Sequence, residues 1–438
     1  MIYPTTRCAV LIALGAPVAL VLSAWRPDLW AIGPAWSAMI MLLCLIDGLV
    51  AARLSNWEVD APRSIALGDP LAVGITATFG GTIMPRCGEA SLATDSEIVP
   101  GGRSMAALER DRGEGGLAGR FVLEPARRGK IVFDRVWLRW QGPLGLSWRQ
   151  ARRAVDGAIA VLPNISAIRS PAFQVFLKDA LFGLLARKMR GEGSEFEALS
   201  DFQAGMDRRS IDWKQSARHS RLLAKEFDTE RNNQIVFALD CGSDMCEPVA
   251  GIPRIDRAVS AALLTAYVAL KAGDRARLFA FAARPEASTP FVSGTRSFHR
   301  LQAEAADIDY RHQETNYTLA LSTLAAQLQR RSMIVVFTDF SDPTSAELML
   351  ESVGRLIDRH LLLFVVMDDE DLLSILDQPP ETSDKVAESV AAADLLAQRR
   401  LVITRLRHLG IEVVEGSHEN IGTRLMNAYL SIKRRGQL

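Results

Sequence analysis

Gln234-Ile-Val-Phe-Ala-Leu239 is an unbroken apolar run closed by Asp240. A run of this type belongs to a strand covered on both faces. Outward from it the chain alternates. Residues 254–272 carry an amphipathic helical pattern that stops before Gly273, and Arg277-Leu-Phe-Ala-Phe281 reads as the next strand. Residues 317–330 read as a helix, Met333-Ile-Val-Val-Phe-Thr338 and Leu361-Leu-Leu-Phe-Val-Val-Met367 as strands, and residues 386–409 as a long helix. A short strand, Ile411-Glu-Val-Val414, and a helix over 420–433 complete the series. Strand alternating with helix predicts a mostly parallel, doubly wound α/β domain over residues 231–438.

Upstream the pattern changes. Between residues 54 and 165 glycine and proline recur, and short stretches alternate with period two, as in Leu71-Ala-Val-Gly-Ile-Thr-Ala-Thr-Phe79 and in residues 119–123 and 130–140. This predicts a β-sandwich-like domain of antiparallel strands, with residues 101–116 as an exposed loop. Residues 166–230 form a connector that opens with a helix over 173–189. The first 53 residues hold two long uncharged runs, 8–25 and 29–52, broken only by Asp47. At 1.5 Å per residue they reach roughly 27 and 36 Å, enough for a hydrocarbon core of about 30 Å. Asp47 would cost about 3 kcal/mol at mid-bilayer, and the leucines and isoleucines around it offset that much. No A-x-A cleavage site follows the first run, so a retained transmembrane hairpin is expected rather than a signal peptide. Arg7, Arg53 and Arg63 outweigh the turn (Arg26, Pro27, Asp28), which puts both ends of the hairpin, and the body, in the cytoplasm.

The 438 residues carry 51 Lys+Arg against 51 Asp+Glu. That balance excludes general electrostatic attraction to nucleic acid. Five cysteines without a CxxC pair exclude a zinc ribbon and a disulfide framework, and suit a reducing compartment. The phosphate-binding loop G-x-x-x-x-G-K-[ST] is absent, as are H-E-x-x-H and G-x-S-x-G, and the six histidines are scattered. No enzymatic activity is expected.

Ligands of doubly wound sheets sit outside the carboxyl ends of the strands. Two strands end in aspartate there, Asp240 and Asp339. Two neighbouring carboxylates repel unless a cation or hydrogen-bond donors lie between them, and a hard ion such as Mg2+ takes oxygen ligands of this kind. The other reading has both aspartates capping helices or loop amides.

Gly193-Ser-Glu-Phe-Glu197, Ile211-Asp-Trp-Lys-Gln-Ser-Ala-Arg218 and Glu226-Phe-Asp-Thr-Glu230 resemble the signature of the bacterial domain-of-unknown-function 58 family. Pro125-Ala-Arg-Arg-Gly129 and Gly142-Pro-Leu-Gly-Leu146 resemble its β-domain signature, so the likeness covers nearly the whole chain. It implies a membrane-anchored protein whose last third is similar to a von Willebrand factor A domain, with a MoxR-type AAA+ ATPase as companion. It also implies a metal-ion-dependent adhesion site: Asp240, Asp244, Thr315 and Asp339 around Mg2+ or Mn2+, with Thr318 as the other choice of threonine. The site is degenerate, because Gly242 and Asp244 stand where hydroxyls belong. In the connector, Asp212, Trp213, Arg218 and Glu230 read as a buried ion-pair latch between domains or as a partner surface.

The expected protein is thus a multi-pass inner-membrane adaptor with cytoplasmic domains that docks a protein ligand. The rivals are a metal-dependent membrane-bound hydrolase using the Asp240/Asp339 cleft and an extracellular adhesin.

Overall fold

The computed structural model describes all of the chain except residues 1, 26–29, 81–83, 111–115, 134, 156, 187–194, 204–207, 209–210, 229–232 and 341–342. It divides into two compact units, Met1–Leu162 and Pro163–Leu438.

In the second unit the run that opens the domain is strand β1 (Gln234–Asp240). It is followed by β2 (Arg275–Phe281), β3 (Pro285–Ser288), β4 (Ser332–Phe337), β5 (Leu361–Met367) and β6 (Glu412–Gly416). Their order across the sheet is β3-β2-β1-β4-β5-β6, and Val292–Ser293 adds a second short pairing to β2. β2, β1, β4, β5 and β6 run parallel, while β3 and Val292–Ser293 pair antiparallel to β2 on the edge. Such a strand order is doubly wound: the chain leaves β1 first toward β2 and later returns to its other side at β4. The crevice at the carboxyl ends of β1 and β4 is the switch point.

Alternate residues of β1 explain why its sequence is apolar throughout. Ile235, Phe237 and Leu239 face a layer that includes residues of the helices Arg254–Lys271, Phe298–Ala306 and Ile421–Arg435. Val236 and Ala238 face the opposite layer, with the helices Tyr317–Gln327, Pro343–Ile357 and the second half of Ser383–His408. Each fully buried large side chain, such as Phe237 or Phe364, contributes about 1.5–3 kcal/mol. The helices Pro343–Ile357 and Glu370–Asp377 lie between strands where the sequence reading assigned none. In the connector part, a helix spans Pro171–Ala186, and Glu195–Asp201 pairs antiparallel with Leu223–Asp228 around a short helix, Trp213–His219.

The first unit holds two sheets. The larger has eight strands, in the order Ile2–Pro4, Ser147–Arg153, Arg135–Gln141, Gly88–Ala93, Arg103–Arg110, Gly116–Leu123, Leu71–Gly80 and Arg53–Asp60. The smaller joins Ser64–Ala66, Ala158–Leu162 and Gly129–Val132. Two expectations change here. Residues 103–110, expected in a loop, form a strand, because Ala106 and Leu108 alternate into the core despite the charges around them. The run 130–140, expected as one strand, is split between the two sheets.

Thr6–Trp25 and Ile32–Val50 are helices long and apolar enough to cross a membrane. They approach closely where small residues allow it: Gly33 lies against Ala19, and Gly15 lies under the Trp36 ring. Trp36 Nε1 donates to Leu11 O across the pair at 2.8 Å. The turn Arg26, Pro27 and Asp28 falls outside the described residues. The hairpin packs as one body with the strands, not as a segment apart. Ile2–Pro4 pairs with Ser147–Arg149, and Asp47, buried at the end of the second helix, accepts the backbone N–H groups of Leu144 (2.7 Å), Leu146 (2.9 Å) and Ser147 (2.9 Å).

Candidate functional site

The crevice is built from strand ends. Asp240 closes β1 and is buried, and its two oxygens take four donors. Thr315 Oγ1 (2.6 Å) and Gly242 N (2.9 Å) donate to Oδ1. Thr338 Oγ1 (2.7 Å) and Tyr317 OH (3.1 Å) donate to Oδ2. A carboxylate has about four lone-pair positions, so this one is saturated. Burial pushes the Asp240 carboxyl above its ordinary value, and the bonds from Thr315, Gly242, Thr338 and Tyr317 pull it partway back.

Asp339, just beyond β4, is also buried, but its partners are cationic. Arg254 Nε lies 3.2 Å from Oδ2, and Arg399 lies 3.1 Å from Oδ1, which also accepts the Phe340 N–H at 2.8 Å. The Arg254 Nε contact is one of charge, since its N–H is not aligned as a hydrogen bond. Arg254 opens the helix Arg254–Lys271 with its side chain only 6% exposed, and it also binds Glu247 (2.9 Å) and Asp369. Burial works against its charge, yet Asp339, Asp369 and Glu247 hold its pKa above the usual guanidinium value. Asp369 is held in turn by capping the helix Glu370–Asp377 through Leu372 N (3.1 Å).

Of the expected metal ligands, Asp240 and Thr315 are brought together. Asp339 shares the crevice, linked to Asp240 through Tyr317 OH, which lies 3.1 Å from Asp240 Oδ2 and 3.5 Å from Asp339 O. Asp244 accepts from Ser243 Oγ at 3.1 Å, and Thr318 bonds to Ser352 at 2.9 Å on another face of its helix. A side chain at position 242 would collide with Thr315 Oγ1, which explains the glycine where a serine was expected. These donors do not fit a divalent ion. The lone pairs of Asp240 are occupied, and Asp339 faces two guanidinium groups. Among the described residues no group of three His, Cys, Asp or Glu is placed to hold a metal.

Asp212 is a helix cap, accepting from Lys214 N (3.0 Å) and Gln215 N (3.1 Å). Trp213 is 68% exposed and Arg218 is exposed, so neither is part of a buried latch, whereas a partner surface accords with such exposure. Glu230 falls outside the described residues. Cys241 is buried, with its Sγ 3.5 Å from Leu239 O.

Residues 199–376 match the sequence profile of the family described as "Protein of unknown function DUF58". Over these residues the chain is similar to DUF58 proteins. The stretch contains β1 to β5 and both strand-end aspartates. No curated protein matches the chain. Among solved structures, an aerotolerance-related membrane protein from Bacteroides fragilis is 16% identical, covering 31% of this chain and 67% of that one, with a TM-score of 0.24. The conserved hypothetical protein BatB from Bacteroides thetaiotaomicron is 12% identical over 45% of this chain and 98% of that one, with a TM-score of 0.30. The vWF domain of the type V pili tip protein Mfa5 from Porphyromonas gingivalis is 10% identical over 46% and 95%, with a TM-score of 0.32. At such scores the fold of the DUF58-like segment rests on its own strand order.

The raised Asp240 pKa has a sign that can be tested. The folded state holds the proton more tightly than the unfolded one, so the contribution is present in acid and is lost as pH rises through the folded value. Asp240→Asn removes that titration. The unfolding midpoint of the detergent-solubilised chain, followed from about pH 4 to 7, is expected to fall less steeply in the variant than in the wild type. Equal slopes would mean that Asp240 titrates at its ordinary value.

Proposed function

We propose that this chain is a membrane-anchored adaptor that docks a protein ligand through its DUF58-like segment and performs no chemistry of its own. One observation carries the reading. The polar groups of the strand-end crevice are bonded to one another, with four donors on Asp240 and two guanidinium groups on Asp339, whereas a general base needs a lone pair aimed at a substrate. Two apolar helices supply the anchor. The body lies on the cytoplasmic side of a bacterial inner membrane, which the excess of Arg7, Arg53 and Arg63 over the turn supports. The partner is a MoxR-type AAA+ ATPase or its client: the chain has no phosphate-binding loop, and the family resemblance supports such a companion.

A single preparation tests the reading. Right-side-out spheroplasts are treated with protease, washed and solubilised, and the chain is purified through a tag. It is expected to emerge intact, with an AAA+ protein attached, and to hydrolyse no ATP once separated from it. Digestion of the body before lysis would restore the adhesin. Turnover by the separated chain would restore the enzyme.

A further inference from the structure

We infer that the strand-end crevice carries its own cation: the guanidinium of Arg254 takes the electrostatic place of a divalent ion, and the site works without metal. Three features of the crevice converge on this. First, strand-end carboxylates need positive charge nearby, and here they have it. Asp339 and Asp369 are both nearly buried, at 7% and 15% side-chain exposure, and both contact Arg254. Arg399 adds a second cation on Asp339 and donates to Met367 O at the end of β5. Two guanidinium groups therefore meet one buried and one partly buried carboxylate, with the exposed Glu247 outside them.

Second, the hydroxyl that would face an ion is turned inward. Thr315 donates to Asp240 at 2.6 Å and fills the space beside Gly242 that a serine side chain would occupy. Thr338 and Tyr317 close the other oxygen of Asp240. Third, the guanidinium is fixed in geometry as an ion is fixed by its ligands. Arg254 contacts carboxylates from three places in the chain: Glu247 after β1, Asp339 after β4 and Asp369 after β5. A planar fork with five N–H donors suits several carboxylates at once, which an ammonium does not. A divalent ion entering beside Asp339 would meet two like charges in a poorly solvated setting.

The site should then behave oppositely to a metal site until the arginine is removed. The test measures Mn2+ binding to the full detergent-solubilised chain by electron paramagnetic resonance, together with its thermal midpoint in EDTA and in millimolar Mn2+ or Mg2+. Wild type is expected to bind no Mn2+ saturably and to show the same midpoint in all three conditions. Arg254→Gln leaves Asp339 and Asp369 with one cation fewer, so it is expected to melt lower in EDTA and to regain part of that loss with Mn2+. Arg254→Gln/Asp339→Asn should lose the response. If Arg254→Gln does not fold in EDTA, recovery of folded chain on purification in Mn2+ is the corresponding readout. Saturable Mn2+ binding by wild type that Asp240→Ala abolishes would overturn the inference, as would an Arg254→Gln chain indifferent to Mn2+. The outcome is independent of the adaptor reading: a chain that captures no ATPase can still show it, and one that captures an ATPase can still fail it.

Discussion

Lys433→Met is expected to cost the chain about 3–5 kcal/mol of stability, because it strands a carboxylate that has no access to water. Asp274 is fully buried between the helix Arg254–Lys271 and β2, and Lys433 Nζ reaches it from the last helix at 2.6 Å. Tyr429 OH, one turn earlier, donates to the same oxygen at 2.6 Å, and Lys433 also caps the preceding helix through Ala272 O at 3.0 Å. Methionine fills nearly the same volume, so the loss is electrostatic rather than a cavity. Its pH dependence separates the two causes. Burial already raises the Asp274 carboxyl above its ordinary value, against the pull of Lys433 and Tyr429, and without Lys433 it rises further. A raised acid favours the fold in acid and loses that contribution as pH climbs through the folded value. The deficit of Lys433→Met should therefore be largest near neutrality and shrink toward about pH 4, measured as unfolding midpoints against wild type. A deficit constant with pH would assign the loss to packing. Lys433→Met/Asp274→Leu should recover much of it, as replacement of a whole buried pair often does.

Neither Lys433 nor Asp274 was legible as a pair, and the reason is general to this chain. Strand identity follows from local composition: runs covered on both faces are apolar throughout, so β1, β4 and β5 appear within a residue or two of their ends. The residues that neutralise a buried charge come from distant parts of the chain, and no local period marks them. Arg399 is the partial exception. It falls on the same helical face as Val402, Ile403 and Leu406, all buried, and a charge on an apolar stripe asks for a buried partner. Arg254 gave a weaker signal, as a cation at the start of a helix, where the dipole disfavours it unless acids stand close by.

The strand-end aspartates were legible as a site because a doubly wound order puts such positions in one crevice. What fills the crevice was not. The glycine at 242 looked like a lost ligand, whereas the structure has Thr315 in that space. In the connector, Asp212 satisfies amide groups two and three residues ahead of it, a role that opposite charges close in sequence do not announce. Local capping competes with long-range pairing and needs no ordering of a second side chain.

Asp47 separates the two ways of reading the anchor. Hydropathy treats it as a blemish: Asp47→Leu removes a charge from a membrane span and should ease insertion by about 3 kcal/mol. The structure gives it work that leucine cannot do. Its carboxylate gathers three backbone N–H groups and the Ser147 hydroxyl, the latter at 2.9 Å, from the turn that contains the Gly142-Pro-Leu-Gly-Leu146 motif. Gly142 packs directly against the carboxylate, where any side chain would collide, and Gly145 turns the chain with φ +69°. Thr5 Oγ1 holds the Gly145 carbonyl from the other side at 2.9 Å. Losing Asp47 orphans two buried N–H donors, those of Leu146 and Ser147, at about 1–3 kcal/mol each, while the part-buried Leu144 N–H can turn to water, so Asp47→Leu is expected to destabilise the first unit by roughly 2–6 kcal/mol in detergent. Asp47→Asn, which keeps one acceptor oxygen, should fall between the two. Limited proteolysis of the solubilised chain is the check, with cleavage in residues 142–147 expected in Asp47→Leu under conditions that leave wild type whole. If the leucine variant instead inserts better and resists protease equally, the bonds of the turn itself, Gly145 N to Gly142 O (3.0 Å) and Gly142 N to Ser147 O (3.0 Å), are sufficient, and the strand Ile2–Pro4 with the Thr5 bonds holds the hairpin to the sheet without Asp47.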